Sequence, residues 1–598
     1  MKLFADSIPS NEQVTDCVDK AEGLDLKPLR ISVLRNVTVE AIESYLQYEA
    51  VRIGRRAQVD FGGYDTVVQE ANGAAPGLLD DSTDVVLVFL HLSTLSPALA
   101  DQFATLSPEQ IAAEIEFCAG IIRQTIAGIR RQTQATVLWA SFEPMAWPAL
   151  GIQDAQLDNG QAATVQRLNA ALREALAAVP SAYVVDLGAV ALRLGINRFY
   201  DTRYWQMAKA PYSDEALSLT AAEVFKFVRA KLGKTRKCLV LDCDNTLWGG
   251  VVGEDGLEGI KLGTTYPGSA YLAFQRQILE LHARGVIIAL VSKNNEADVW
   301  EVFDRHPDML LKREHIASAY INWQDKAANL RSVAKDLNIA TESLVFVDDS
   351  AFELGLVEAE LPEVATIRVD PRRPSDARWL LSSCGHFDLP NLTAEDRKRG
   401  SLYQAERSRR DAAAAASDLA GYCRSLKIGL TLDFANELSI PRLAQQTQKT
   451  NQFNLTTRRY SDADMAVLAR DPTVEVIGCK AEDKYGDMGI IGTAIVRYRG
   501  ETAYLDTFLM SCRALGRGIE RRFLFEVLAS AARRGAQSMS ADFIPTAKNQ
   551  QVERFLPDHG FIHLETLEGG GERYRRDLAN LVPDPEDWFE FVKVPWVD

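Results

Sequence analysis

The stretch Lys237-Cys-Leu-Val-Leu-Asp-Cys-Asp-Asn-Thr-Leu-Trp248 constrains this chain more than any other, because a short apolar run leads straight into two carboxylates and an Asn-Thr pair. Bounded by Lys-Thr-Arg-Lys before it and by Gly249, Gly250 and Gly253 after it, the run predicts a buried central strand of a parallel sheet. Ligands of open α/β sheets sit at the carboxyl ends of strands, where Asp242 and Asp244 fall.

A chain of 598 residues exceeds one core, since single cores stop growing at roughly 250–300 residues. The pattern divides it into α/β units over 1–230 and 231–390, a linker with a basic helix over 391–425, and a mixed α/β segment over 426–598. Asp6, Glu12 and Asp16 break up the first residues, and no apolar run reaches the ~20 residues of a membrane helix, so a cytoplasmic protein without membrane attachment is expected. Eight cysteines without a Cys-x-x-Cys pair suit a reducing compartment, and a net charge of −16 argues against nucleic acid as a partner.

In 1–230, apolar runs at Ile31 to Leu34, Asp84 to Leu90, Thr136 to Trp139 and Ala182 to Asp186 alternate with helical patterns. The segment resembles an SGNH-hydrolase-type domain, but Gly-Asp-Ser is missing from the first strand. Tyr200-Asp-Thr-Arg-Tyr-Trp205 stands where an Asp-x-x-His dyad would be, and no histidine occurs between Leu92 and Arg276. A Ser-His-Asp mechanism has no local base there, so a degenerate docking or scaffolding domain is expected.

Within 231–390, four features follow in chain order: Asp242-x-Asp244-Asn-Thr, Ser292 closing a strand, Lys326 opening a helix, and Asp348-Asp349 closing another strand. This set resembles the haloacid-dehalogenase (HAD) superfamily of phosphotransferases. The resemblance implies Asp242 as nucleophile and Asp244 as general acid and base. It also implies Mg²⁺ held by Asp242, the backbone carbonyl of Asp244, and Asp348 or Asp349. Ser292 and Lys326, with Asn245 and Thr246, would bind phosphate. Cys243, between the two acids, alternates to the opposite face and is expected to pack in the core.

The phrases Leu241 to Gly256, Val291-Ser-Lys-Asn-Asn295, Asn322-Trp-Gln-Asp-Lys326 and Lys449-Thr-Asn-Gln-Phe-Asn-Leu-Thr resemble the FkbH-like family more narrowly. Ser350-Ala stands where relatives often carry Asn-Pro. The family builds glyceryl thioesters on acyl carrier proteins from 1,3-bisphosphoglycerate for polyketide or tetronate assembly.

Arginines 397, 399, 407, 409 and 410 of the linker read as a solvated helix face, or as a docking patch for an acidic carrier protein. Downstream, the apolar run Thr502 to Met510 is followed by Ser511-Cys-Arg-Ala-Leu-Gly-Arg-Gly518 and an amphipathic helix from Ile519. Arg513-x-x-Gly516-Arg517-Gly518 resembles the pyrophosphate loop of Gcn5-related (GNAT) acyltransferases, whose ligand is a pantetheine arm of coenzyme A or of a carrier. Cys512, beside Arg513, is the candidate thiol for a glyceryl intermediate.

The expected fold is therefore three α/β-type domains, two with parallel Rossmann-like sheets (SGNH-like and HAD-like) and a C-terminal GNAT-like mixed domain. The expected reaction moves the glyceryl group of 1,3-bisphosphoglycerate to a carrier phosphopantetheine thiol and removes the 3-phosphate at Asp242. Two alternatives remain open: a phosphatase coupled to a CoA-dependent N-acyltransferase of sugar or surface-polysaccharide synthesis, and a non-catalytic scaffold. The oligomeric state is open as well.

Overall fold

The computed structural model describes residues 8–391, 409, 418–511, 514–579, 581 and 588–596. Two compact units divide the chain, Met1–Lys231 and Leu232–Asp598. No helix among the described residues is long and apolar enough to cross a membrane.

The first unit holds five strands, β1 (Lys27–Arg35), β2 (Arg55–Tyr64), β3 (Val85–Phe89), β4 (Thr136–Ala140) and β5 (Ala182–Val185). All pair in parallel in the order β2-β1-β3-β4-β5, with Ile31 opposite both Val59 and Val85. Strands β3 and β4 are buried throughout, because helices such as Pro108–Gln132 and Asp214–Lys231 accompany the parallel sheet. Where β1 and β3 end, Asn36 Oδ1 accepts the His91 N–H at 2.6 Å and its Nδ2 donates to the His91 carbonyl at 3.2 Å. Asn36 thus ties two strand ends together through main-chain groups.

The second unit carries two sheets. The first consists of β6 (Cys238–Leu241), β7 (Ile287–Ser292), β8 (Ile316–Ile321), β9 (Leu344–Asp348) and β10 (Ala365–Arg368). It is parallel throughout, in the order β10-β9-β6-β7-β8. Leu239, Leu241 and Cys243 pack in one cluster and Cys238 and Val240 in another, so β6 is buried on both faces. Cys243 is a core residue, packed with Leu239 and Leu241, and burial raises its thiol pKa.

The second sheet has eight strands: β11 (Ile428–Phe434), β12 (Val474–Asp483), β13 (Gly486–Arg499), β14 (Thr502–Met510), β15 (Ser538–Phe543), β16 (Ile562–Thr566), β17 (Glu572–Asp577) and β18 (Phe589–Lys593). Their order is β16-β17-β15-β14-β13-β12-β11-β18, mixed and mainly antiparallel. Strands β14 and β15 pair in parallel only from Thr502 opposite Ser538 to Leu505 opposite Ala541, although β14 continues to Met510. The two strands therefore part before the turn into helix Ile519–Arg533.

The linker needs a correction at Arg409, which is 1 % exposed and neither a solvent-facing nor a docking residue. Its Nε and Nη2 bond Asp483 at 2.6 and 2.8 Å, and its carbonyl accepts the Tyr422 hydroxyl. A buried guanidinium demands a carboxylate in a matching geometry, and the end of β12 supplies one. Arg397, Arg399, Arg407 and Arg410 lie outside the described residues.

Candidate active site

The order β10-β9-β6-β7-β8 reverses direction at β6, and the crevice for a ligand opens at the carboxyl ends of β6 and β9. Asp242 follows the last residue of β6 and Asp348 ends β9. Lys326 reaches both from the first turn of helix Lys326–Asp336, whose N-cap Asp325 accepts the Ala328 N–H at 2.8 Å. Lys326 Nζ lies 2.9 Å from Asp242 Oδ1 and 2.5 Å from Asp348 Oδ2, all three side chains being buried. Ser292, at the end of β7, lies close enough to Asp242 to lower its pKa. Burial raises the pKa of Asp242 and of Asp348, and the Lys326 charge pulls both back down.

Asp349 completes a trio with Asp242 and Asp348, with one carboxylate oxygen of each within 4.8 Å of the others. Three hard oxygen donors around one point could hold a small divalent cation. The side chain of Asp244 is not in that trio. Its Oδ1 accepts the Trp248 indole N–H at 2.8 Å and the Val252 N–H at 3.1 Å, and its Oδ2 accepts Asn294 Nδ2 at 2.7 Å. Burial raises its pKa while these donors oppose the rise, which favours a carboxyl group able to hold a proton. Trp248 and Asn294 had no assigned role in the sequence, although both stand inside the quoted phrases.

Asn245 and Thr246 shape the turn after the acids. Asn245 adopts φ +56°, a left-handed conformation that asparagine tolerates, and its Oδ1 accepts the Gly250 N–H at 2.9 Å. That acceptor is used inside the loop, while the buried Thr246 hydroxyl has no protein partner. Ser350, at the departure from Asn-Pro, caps helix Ala351–Glu360 and donates its N–H to Asp348 Oδ1 at 2.8 Å, so the substitution still orients Asp348.

In the second sheet, Cys512 and Arg513 lie outside the described residues. Gly516 and Gly518 adopt φ +78° and +76°, and Gly518 is the N-cap of helix Ile519–Arg533. Arg517, between these glycines in the expected pantetheine loop, is buried. It is 6 % exposed, its guanidinium lies 4.0 Å from Met488 Sδ, and its carbonyl accepts the Trp588 indole at 3.0 Å. With glycines on both sides in left-handed conformations, the residue between them turns into the domain.

No protein-family model and no curated protein matches the chain. Among solved structures, it is similar to the N-terminal part of the protein BF1531 from Bacteroides fragilis, a crystal structure containing a phosphatase domain complexed with Mg. The two are 25% identical with a TM-score of 0.57, over 64% of this chain and 99% of that one. A putative phosphinothricin N-acetyltransferase is 18% identical over 25% of this chain and 99% of that one, with a TM-score of 0.20. The ribosomal-protein-S18-alanine N-acetyltransferase from Escherichia coli is 12% identical over 25% of this chain and 95% of that one, also at 0.20. The parallel sheet with Asp242, Ser292, Lys326 and Asp348 at its carboxyl edge defines a HAD-like domain.

Proposed function

We propose that the chain transfers a glyceryl group from 1,3-bisphosphoglycerate to the phosphopantetheine thiol of an acyl carrier protein and removes the 3-phosphate at Asp242. The product is a three-carbon unit for polyketide- or tetronate-type assembly. The observation that carries the phosphoryl half is Lys326 set between Asp242 and Asp348, with Asp349 beside them. The FkbH-like resemblance supports the substrate and the carrier.

Three carboxylates against one ammonium leave net negative charge, and their oxygens fit Mg²⁺, the ion present in the Bacteroides domain. Asp242, Asp348 and Asp349 would hold Mg²⁺, which when bound would supply positive charge against the phosphoryl oxygens. The Asp242 carboxylate attacks phosphorus while the ester O–P bond breaks, and the departing oxygen takes a proton from Asp244. Asp244 then accepts a proton from the water that attacks the aspartyl-phosphate, which frees inorganic phosphate and restores Asp242. Lys326 and Ser292 hold the non-bridging oxygens.

In the acyl half, a thiolate attacks C1 of the acyl phosphate, the C1–O bond breaks, and inorganic phosphate leaves as the thioester forms. Cys512 would take the glyceryl group first and pass it to the carrier thiol.

Incubation with Mg²⁺, 1,3-bisphosphoglycerate and a phosphopantetheinylated carrier, followed by weighing the carrier, tests the reading. A glyceryl increment is expected, and Asp242→Asn should leave a phosphoglyceryl increment instead. An unchanged carrier, with acetyl-CoA consumed in its absence, would replace this reading with the sugar-pathway N-acyltransferase.

A further inference from the structure

Four large apolar side chains stand exposed among the described residues of 232–391: Tyr266, Trp323, Phe352 and Trp379. Two of them stand on the segments that carry site residues, Trp323 before Lys326 and Phe352 after Asp349. Trp323, 71 % exposed, occupies the turn between β8 and the helix that Lys326 opens. Its indole N–H bonds Asn295 Oδ1 at 3.3 Å, next to the Asn294 that holds Asp244. Phe352, 70 % exposed, lies in the first turn of helix Ala351–Glu360, just past Asp349. Tyr266, 66 % exposed, precedes helix Gly268–Ala283, whose buried Tyr271 lies close enough to Asp349 to feel its charge.

The connection from β6 to β7 contributes two helices, Val252–Gly259 and Gly268–Ala283, and no inserted sheet among the described residues. Nothing in that connection roofs the crevice as a separate layer. Exposed rings on the segments that follow β8 and β9, next to buried polar site residues, mark surface that gains by being covered. A free three-carbon bisphosphate cannot cover them, because its remaining groups are hydroxyl, carboxyl and phosphate. A pantetheine thioester can, since it brings methyl and methylene groups and flat amides that pack on aromatic faces.

We propose that Trp323 and Phe352 are specificity residues that grip the pantetheine arm of a 3-phosphoglyceryl thioester, so that dephosphorylation follows acyl transfer and acts on the tethered substrate. The inference rests on the function proposed above. In the step, the O–P bond of the 3-phosphate breaks, water supplies the oxygen that inorganic phosphate gains, the carbinol keeps its own oxygen and receives a proton, and the thioester is untouched.

The test compares phosphate release by the full chain, with Mg²⁺, from synthetic 3-phosphoglyceryl-S-pantetheine and from 3-phosphoglycerate. The wild-type protein is expected to prefer the thioester. In Trp323→Ala/Phe352→Ala the ratio of the two kcat/KM values should fall about tenfold, mainly through KM for the thioester, as loss of two ring contacts implies. Trp323→Phe, which keeps a ring, should retain most of the preference. Both side chains are exposed, so thermal melting of the variants should match the wild type. Equal kcat/KM for the two substrates in the wild type, or an unchanged ratio in the double variant, overturns the proposal. Phosphate release from neither substrate overturns the phosphatase reading itself, a result distinct from a lost preference.

Discussion

Asn294 Nδ2 donates to Asp244 Oδ2 at 2.7 Å, joining the turn after β7 to the chain that leaves β6. Trp248 and Val252 hold the other oxygen, so the carboxyl group is fixed from two directions. An acid that must meet a leaving oxygen loses efficiency when it can rotate. Asn294→Ala should lower kcat for an alkyl phosphate about tenfold, a fraction of what general acid catalysis contributes. The loss should be smaller for p-nitrophenyl phosphate, whose leaving group needs no proton. Equal losses on both substrates would assign Asn294 to the fold and not to Asp244.

Removing the Lys326 ammonium leaves Asp242 and Asp348 buried side by side without a counter-charge. Breaking a buried ion pair by deleting one partner costs roughly 3–5 kcal/mol. Lys326→Ala should therefore melt at a lower temperature in EDTA. Mg²⁺ should raise its melting point more than it raises that of the wild type, because a cation held by the same carboxylates replaces the missing charge. Equal Mg²⁺-induced shifts would separate the metal from this cluster. Activity should be lost in either case, since the phosphoryl oxygens lose their ammonium.

The central strands of the two parallel sheets were legible because each is a continuous apolar run buried on both faces. The span Thr502–Met510 matches its expected bounds, and β6, β7 and β9 fall within a few residues of theirs. Strands β2, β8, β10, β12 and β15 to β18 were not legible. Strands β2, β8, β10, β16 and β18 lie at sheet edges, and polar residues such as Glu475, Lys480, Ser538, Ser540, Arg573 and Arg575 interrupt the apolar pattern of β12, β15 and β17. Asp242, Ser292, Lys326 and Asp348 could be found from their order along βα units. The grip of Asn294 on Asp244 could not, because it depends on which atoms meet across 50 residues of chain, and that of Trp248 depends on how the turn after β6 folds back. Arg409 misled for a similar reason: an arginine in a basic run reads as solvated until a carboxylate 74 residues away buries it.

That burial makes Arg409 a stability residue. The Asp483 carboxylate is fully buried, and Arg409→Ala would strand it. A loss of roughly 3–5 kcal/mol is expected in urea unfolding, whereas a carrier-docking role would instead weaken carrier binding and leave stability alone. Arg409→Met with Asp483→Leu, which removes both charges together, should recover much of the loss, because replacing a buried pair by apolar groups is often neutral. If Arg409→Ala unfolds like the wild type, the pair is not formed in solution.

Glu520 Oε1 accepts the Gly516 N–H at 3.3 Å, and its Oε2 is buried without a partner. The carboxylate thus occupies the turn whose N–H groups would face a phosphate, at the positive end of helix Ile519–Arg533. An entering phosphate meets a like charge and must displace or protonate it. Burial raises the Glu520 pKa above its ordinary value, so on lowering the pH this group takes up a proton before other glutamates do. Glu520→Gln should tighten coenzyme A binding several-fold in calorimetry, and acidification should tighten it in the wild type but not in the variant. The linked stability effect has the opposite slope to that of a salt-bridged acid. With the native pKa above the unfolded one, the contribution is present at low pH and is lost as the pH rises through the native value, and Glu520→Gln should remove that decline. An unchanged coenzyme A affinity in Glu520→Gln would mean that no phosphate enters this turn, and the pantetheine arm would have to be held elsewhere in the domain.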